Sequence, residues 1–235
     1  VLPQQHLLKV AQAAAHDAAL AWTPQLQALI SYGLQSTALS AFPRFGKKEL
    51  TFSSTDEEAA AFFRTLIGSY AAERQKKLIL RESATTADPA VDIILSAFAA
   101  GFTDQNRLKL ASRFHRQSMA AENLLGALLE RYLAQELEAH DWIWCAGNSL
   151  RAVDFIRSDL STALQIKNRS NSENSSSAAI RTGTTIQKWY RVNAASGATK
   201  WADFPASLPQ PLSEAGFHQF IRDYAAASPN AKLSI

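Results

Sequence analysis

Cysteine is nearly absent from this 235-residue chain, which has one, Cys145. A lone thiol excludes an internal disulfide framework and a cysteine-based zinc cluster, and it suits a reducing compartment. Glycine and proline are scarce at 9 and 8 residues, which excludes collagen-like and low-complexity readings. No apolar run approaches the roughly 20 residues needed to span a bilayer. Residues 1–5 lack the basic and apolar regions of a signal peptide, so a soluble intracellular protein is expected. Charge is thin as well: 19% of residues are charged against 47% hydrophobic, a globular composition with ample material for a core. The net charge of +3 and pI near 9 permit a polyanionic partner without requiring one. The length allows one large domain or two small ones.

What is present divides at about residue 140. The first part reads as helical. Leu7, Leu8, Val10, Ala11, Ala14 and Ala18 recur at helical spacing, and Pro24 interrupts the run. A second helix is expected over 25–35. Ser54 or Thr55 with Glu57 or Glu58 has the pattern of a capping box, opening a helix towards Leu80. Asp88-Pro89 reads as cap and first turn of another, ending near Gly101. The span 104–140 carries a broad apolar stripe through Leu125, Leu129, Tyr132 and Leu133. Beyond it, residues 142–146, 152–156 and 163–167 read as three short strands joined by tight turns. The polar run 168–177 reads as a loop. Ile186, Trp189 and Tyr190 suggest a helix, and a last helix is expected from Ser213. This order describes an α+β fold, a three-stranded meander backed by a helix.

One constellation carries chemistry. Asp154 is flanked by Val153 and Phe155, and a carboxylate in an apolar strand costs several kcal/mol if buried without compensation. Gln165 and Lys167 share a face of the next expected strand, because alternate residues point the same way. A carboxylate, an amide carbonyl and an ammonium can hold Mg²⁺, a hard cation that prefers oxygen ligands, and can steady the charge that grows on a phosphate. A structural Asp–Lys pair is the competing reading. The five histidines are scattered without metal-ligand spacing. Arg74, Lys76, Lys77 and Arg81 form a basic face that reads as solvated or backbone-facing. Trp142 and Trp144 read as core, as do Trp189 and Tyr190. Cys145 reads as a small core residue with no paired base.

The segments 151–156 and 163–169 resemble the core of the PD-(D/E)xK nuclease superfamily. Gly126, Glu130 and Leu133 resemble its first core helix, which often bears an additional acid. The stretch from Ser172 through Arg181 to Lys188 and Arg191 resembles the narrower group of SinI-type restriction endonucleases. The likeness spans about residues 126–191. It implies that Asp154 is the first motif acid, Lys167 the motif lysine, and Gln165 a neutral residue where the superfamily has Asp or Glu. Glu130, and after it Glu173, would supply the missing acid. The resemblance further implies an Mg²⁺-dependent type II enzyme that cuts double-stranded DNA at GGWCC and leaves 5′-phosphates. It would act in the bacterial cytoplasm as a homodimer, alongside a methyltransferase protecting the same site. Residues 1–117 would then be a mainly helical region that embraces DNA or dimerises. Residues 118–235 would hold the nuclease core, recognition loop and C-terminal helix, unless the two form one continuous domain. Asn168, Arg169, Asn171, Asn174 and Arg181 would read bases, while Ser175–Ser177, Thr182, Thr184 and Lys188 would touch phosphates. A nuclease of another site or a repair role, and a non-catalytic DNA-binding protein, are the alternatives.

Overall fold

The structure is a computed structural model, and it describes residues 3–46, 49–80, 88–99, 104–170 and 184–227. It is an α+β protein with a helix-rich first part, a four-stranded mixed sheet and a C-terminal helix. Two compact units divide the chain. One comprises Val1–Lys77 with Glu130–Phe217, the other Leu78–Leu129 with His218–Ile235. No helix among the described residues is long and apolar enough to cross a membrane.

In the first unit, α1 (Pro3–Asp17) and α2 (Pro24–Gln35) precede α3 (Asp56–Gln75). Thr23 caps α2 by accepting from the Leu26 amide, with Pro24 in the first turn, where its missing N–H costs nothing. The expected capping box at α3 is present: Thr55 accepts from Glu58 N, and Glu58 accepts from Thr55 N. Three acids in that first turn complement the helix dipole. α3 stops at Gln75 and not at Leu80, because Lys76 turns to an extended conformation. Leu7, Leu29, Ile30, Phe63, Leu66 and Ile67 are buried, and Phe42, Phe62 and Phe63 meet edge to face. Gly33 is required here, since a Cβ would lie 2.4 Å from the Phe42 ring.

The sheet of this unit runs β1 (Trp142–Trp144), β2 (Phe155–Arg157), β3 (Ala163–Arg169), β4 (Ile186–Val192), in that spatial order. The first two pairings are antiparallel and the third is parallel. The expected helix around Ile186, Trp189 and Tyr190 is therefore corrected to a strand. Those three positions fit either period, but Trp189 and Arg191 are the buried residues of β4, which is a period of two. Parallel pairing with β3, Gln165 opposite Lys188 and Lys167 opposite Tyr190, satisfies its backbone. The meander is thus four-stranded and mixed. After β4 the chain makes a 3-10 turn at Trp201–Asp203. Trp189, Trp201, Tyr132 and Phe217 form an aromatic cluster, with Trp189 and Trp201 ring centres 5.1 Å apart.

In the second unit, Asp88 caps α4 (Pro89–Phe98), accepting from Ala90 N, with Pro89 in the first turn as expected. α5 (Gln105–Leu137) and α6 (Glu214–Ala226) each have residues in both units. Tyr224 of α6 accepts from the Leu78 amide at 2.8 Å, and Ser112 donates to Asp92 at 3.4 Å. Val91, Ile93, Ile94, Phe98, Leu110 and Phe114 of this unit are exposed.

Candidate active site

The site is built where β2 begins. The expected strand 152–156 starts only at Phe155, because Ala152 adopts a left-handed φ of 57° and Asp154 leaves the ladder. Asp154 is nevertheless tied to both neighbours through its backbone. Its N–H donates to Leu164 O and its carbonyl accepts from Cys145 N, each at 2.8 Å. Its side chain replaces the next rung: Oδ2 accepts from the Ile166 amide of β3 at 2.6 Å. The carboxylate is thereby fixed against the middle of β3.

Lys167 lies on β3 two residues beyond the buried Gln165, on the same face. Its ammonium favours the ionised forms of both Asp154 and Glu130. Burial pushes the Asp154 carboxyl up to about 6, opposed by the Ile166 amide and Lys167. Burial and then the Asp154 charge push Glu130 up to about 7. The two acids titrate as a pair. Asp154, Glu130 and Lys167 are thus one electrostatic unit, although the two acids are 24 residues apart in sequence.

Glu130 sits on α5 with neighbours the sequence did not connect to it. Trp144 Nε1 donates to its Oε2 at 3.4 Å and lowers its pKa, whereas Glu73 of α3 raises it. Arg131 donates to Glu73 O at 2.9 Å and lies 5.3 Å from the Trp144 ring centre. Arg74, read as part of a solvated basic face, makes a two-point ion pair with Glu138 and covers the other rings of this cluster, Tyr70 and Trp144. Lys76 pairs with Glu73. Arg81 lies outside the described residues. No local pattern links Glu73 of α3 to Arg131 of α5, 58 residues away; only the tertiary fold brings them together.

Among the described residues no cluster of three His, Cys, Asp or Glu side chains forms a metal site. The donors here are two carboxylates, with the buried Gln165 on the same strand face as Lys167. Such oxygens suit Mg²⁺, and a divalent cation would offset the burial and, after it, the Asp154 repulsion that raise Glu130. The donors therefore fit the ion. Cys145 is buried, and burial with the two nearby acids pushes its thiol well up, so it is no nucleophile.

The expected DNA-contacting residues fare unequally. Asn168 accepts from Arg191 Nε at 3.0 Å, and Arg191 also pairs with Glu214 and lies over the Phe217 ring. Its carbonyl is thus engaged within the fold. Arg169 is exposed at the end of β3, Thr184 is exposed and caps Ile186 N, and Lys188 lies on β4. Asn171, Glu173, Asn174, Ser175–Ser177, Arg181 and Thr182 lie outside the described residues.

The type II restriction enzyme Eco47I of Escherichia coli is 46% identical to this chain over 146 residues. The type II restriction enzyme SinI of Salmonella infantis is 44% identical over 146 residues. Each match covers 60% of this chain and 62% of the relative, so less than two thirds of either relative's length is matched. The profile of the SinI restriction endonuclease family extends further, over residues 39–227, about four-fifths of the chain. With a match of that extent, the chain belongs to the SinI restriction endonuclease family.

Proposed function

We propose that the chain is a type II restriction endonuclease that hydrolyses double-stranded DNA with Mg²⁺ and leaves 5′-phosphates, at a site of the GGWCC type. The observation that carries this reading is the unit of Asp154, Glu130 and Lys167 in a chain of this family. Asp154, Gln165 and Glu130 would hold the metal ion, whose charge would offset that of the phosphate and make its bound water easier to ionise. Lys167 would orient the attacking water and steady the charge developing on the phosphate oxygens. Water would add to phosphorus as the 3′ oxygen leaves. The hydrogen bond from Ile166 holds Asp154 in place throughout. The core would be of the PD-(D/E)xK type, consistent with a helix-borne acid and a mixed sheet.

Arg169, Asn171, Asn174 and Arg181 would read bases, with Thr182, Thr184, Ser175 and Lys188 on phosphates. Asn168 would contribute only through its amide N–H groups, its carbonyl being held by Arg191. Two cuts at a near-palindromic site call for a symmetric homodimer. The exposed Ile93, Ile94 and Phe98 of α4 support a self-association surface in the helical region. A methyltransferase of the same specificity would protect host DNA. A non-catalytic DNA-binding role is the second reading, favoured by the neutral Gln165.

The test is plasmid DNA with mapped GGWCC sites, incubated with Mg²⁺ or with EDTA. Mg²⁺-dependent fragments ending at those sites are expected, and D154A should yield none. Discrete fragments elsewhere would keep the nuclease and sink the site. DNA left intact by wild type, with binding retained, would leave the second reading.

A further inference from the structure

An open groove of about 570 Å³ lies in the first unit, lined by Tyr32, Thr37, Ser40, Arg151, Leu160 and Thr185, among others. Among the described residues no carboxylate lines it. The polar contact of the Arg151 guanidinium is a long one, 3.5 Å to the Ser40 carbonyl. No aspartate or glutamate among the described residues neutralises it. Burial holds the Tyr32 hydroxyl protonated, so it is available as a donor. Its described residues therefore present one positive charge and several neutral hydroxyl donors without an acid, the composition that suits a phosphate oxygen.

Its position fits the same ligand. Arg151 precedes Asp154 by three residues, a stretch that spans at most about 11 Å. Its backbone is pinned, with Arg151 N donating to Ala41 O at 2.7 Å, so the side chain projects from a fixed point. A DNA strand advances about 3.4 Å per nucleotide, which places the groove within a few nucleotides of a phosphate held at Asp154.

We propose that this groove seats a phosphodiester of the DNA strand near the cut, with Arg151 as the cation and Thr37, Ser40 and Thr185 as neutral donors. The inference rests on the reading of the chain as a DNA-cleaving enzyme, and it concerns affinity shared by all sequences and not choice of site.

The test is the affinity of the full chain for two labelled duplexes, one bearing GGWCC and one scrambled, measured in EDTA between 50 and 200 mM salt. One lost phosphate contact lowers the salt exponent by about 0.9, so R151Q should lose about 3.5-fold less affinity than wild type across that fourfold rise. Both duplexes should weaken alike at low salt, and R151K should restore the exponent. An R151Q exponent equal to wild type overturns the inference. If R151Q fails to fold by circular dichroism, the pair Ser40→Ala and Thr185→Val serves: weaker binding to both duplexes is expected, and unchanged binding overturns it. Wild type that neither binds nor cuts either duplex would overturn the DNA reading itself, a result distinct from cleavage with an unaltered R151Q exponent.

Discussion

The indole of Trp144, on the edge strand of the sheet, donates to the carboxylate of Glu130 on α5 across 3.4 Å. This joins a residue buried in the core to an acid that also feels Asp154 and Lys167. The bond favours the ionised form of Glu130, so removing it while keeping an aromatic ring should raise the pH at which Glu130 loses its proton. W144F is expected to slow Mg²⁺-dependent cleavage about two- to tenfold near pH 7 and little at pH 9. A pH–rate profile checks this. An equal loss at both pH values would mark Trp144 as packing alone.

Glu130 also sets a pH dependence of stability without metal. Its carboxyl moves from an ordinary 4.5 to about 7 on folding, a raised value. Such a group is without penalty below pH 4.5, and the native state loses stability as pH rises towards 7 and ionisation is forced. E130Q should therefore be more stable than wild type in EDTA at pH 8, by about 1–3 kcal/mol, and equal to it near pH 4. Denaturant titrations at the two pH values decide it. Mg²⁺ should narrow the difference at pH 8.

Gln165 is 3% exposed and stands where the superfamily resemblance has an acid. Gln165→Glu adds a buried charge on the strand face that carries Lys167. The expected result is a lower Mg²⁺ concentration for half-maximal cleavage. The metal-free fold should lose about 1–3 kcal/mol at neutral pH, since a further buried charge lacks compensation. A Mg²⁺ titration that is unchanged would remove Gln165 from the ligand set.

Gly147 has a φ of 71°, and a Cβ there would lie 2.8 Å from Ser69 O on α3. Gly147→Ala combines left-handed strain with a backbone clash, at about 2–4 kcal/mol. The melting temperature should fall by roughly 5–10 °C. Because this contact sets α3 against the segment between β1 and β2, cleavage should weaken as well.

Much of this was legible beforehand because it is local. The Thr55–Glu58 box and the Asp88-Pro89 start are written within four residues, where one side chain reaches a nearby orphan amide. Short β-branched and aromatic runs marked β1 to β3. β4 reads as helical from sequence because parallel pairing joins residues more than 20 positions apart, such as Gln165 and Lys188, so no tight hairpin turn marks the pair.

The site divides in the same way. Sequence alone determined the α+β class, the pairing of Asp154 with the Gln165-x-Lys167 strand, and Glu130 as the candidate extra acid. The first two follow from side-chain period and residue type; the third is what the resemblance to the nuclease core implies. Only the tertiary structure decided that the Asp154 carboxylate replaces a ladder bond to Ile166, and that Trp144 and Glu73, the latter held by Arg131, act on Glu130. It alone showed that Asn168 holds Arg191 within the fold. Those relations join distant segments whose encounter depends on how helices pack on a sheet, and burial there, more than residue identity, sets the proton affinity of the acids.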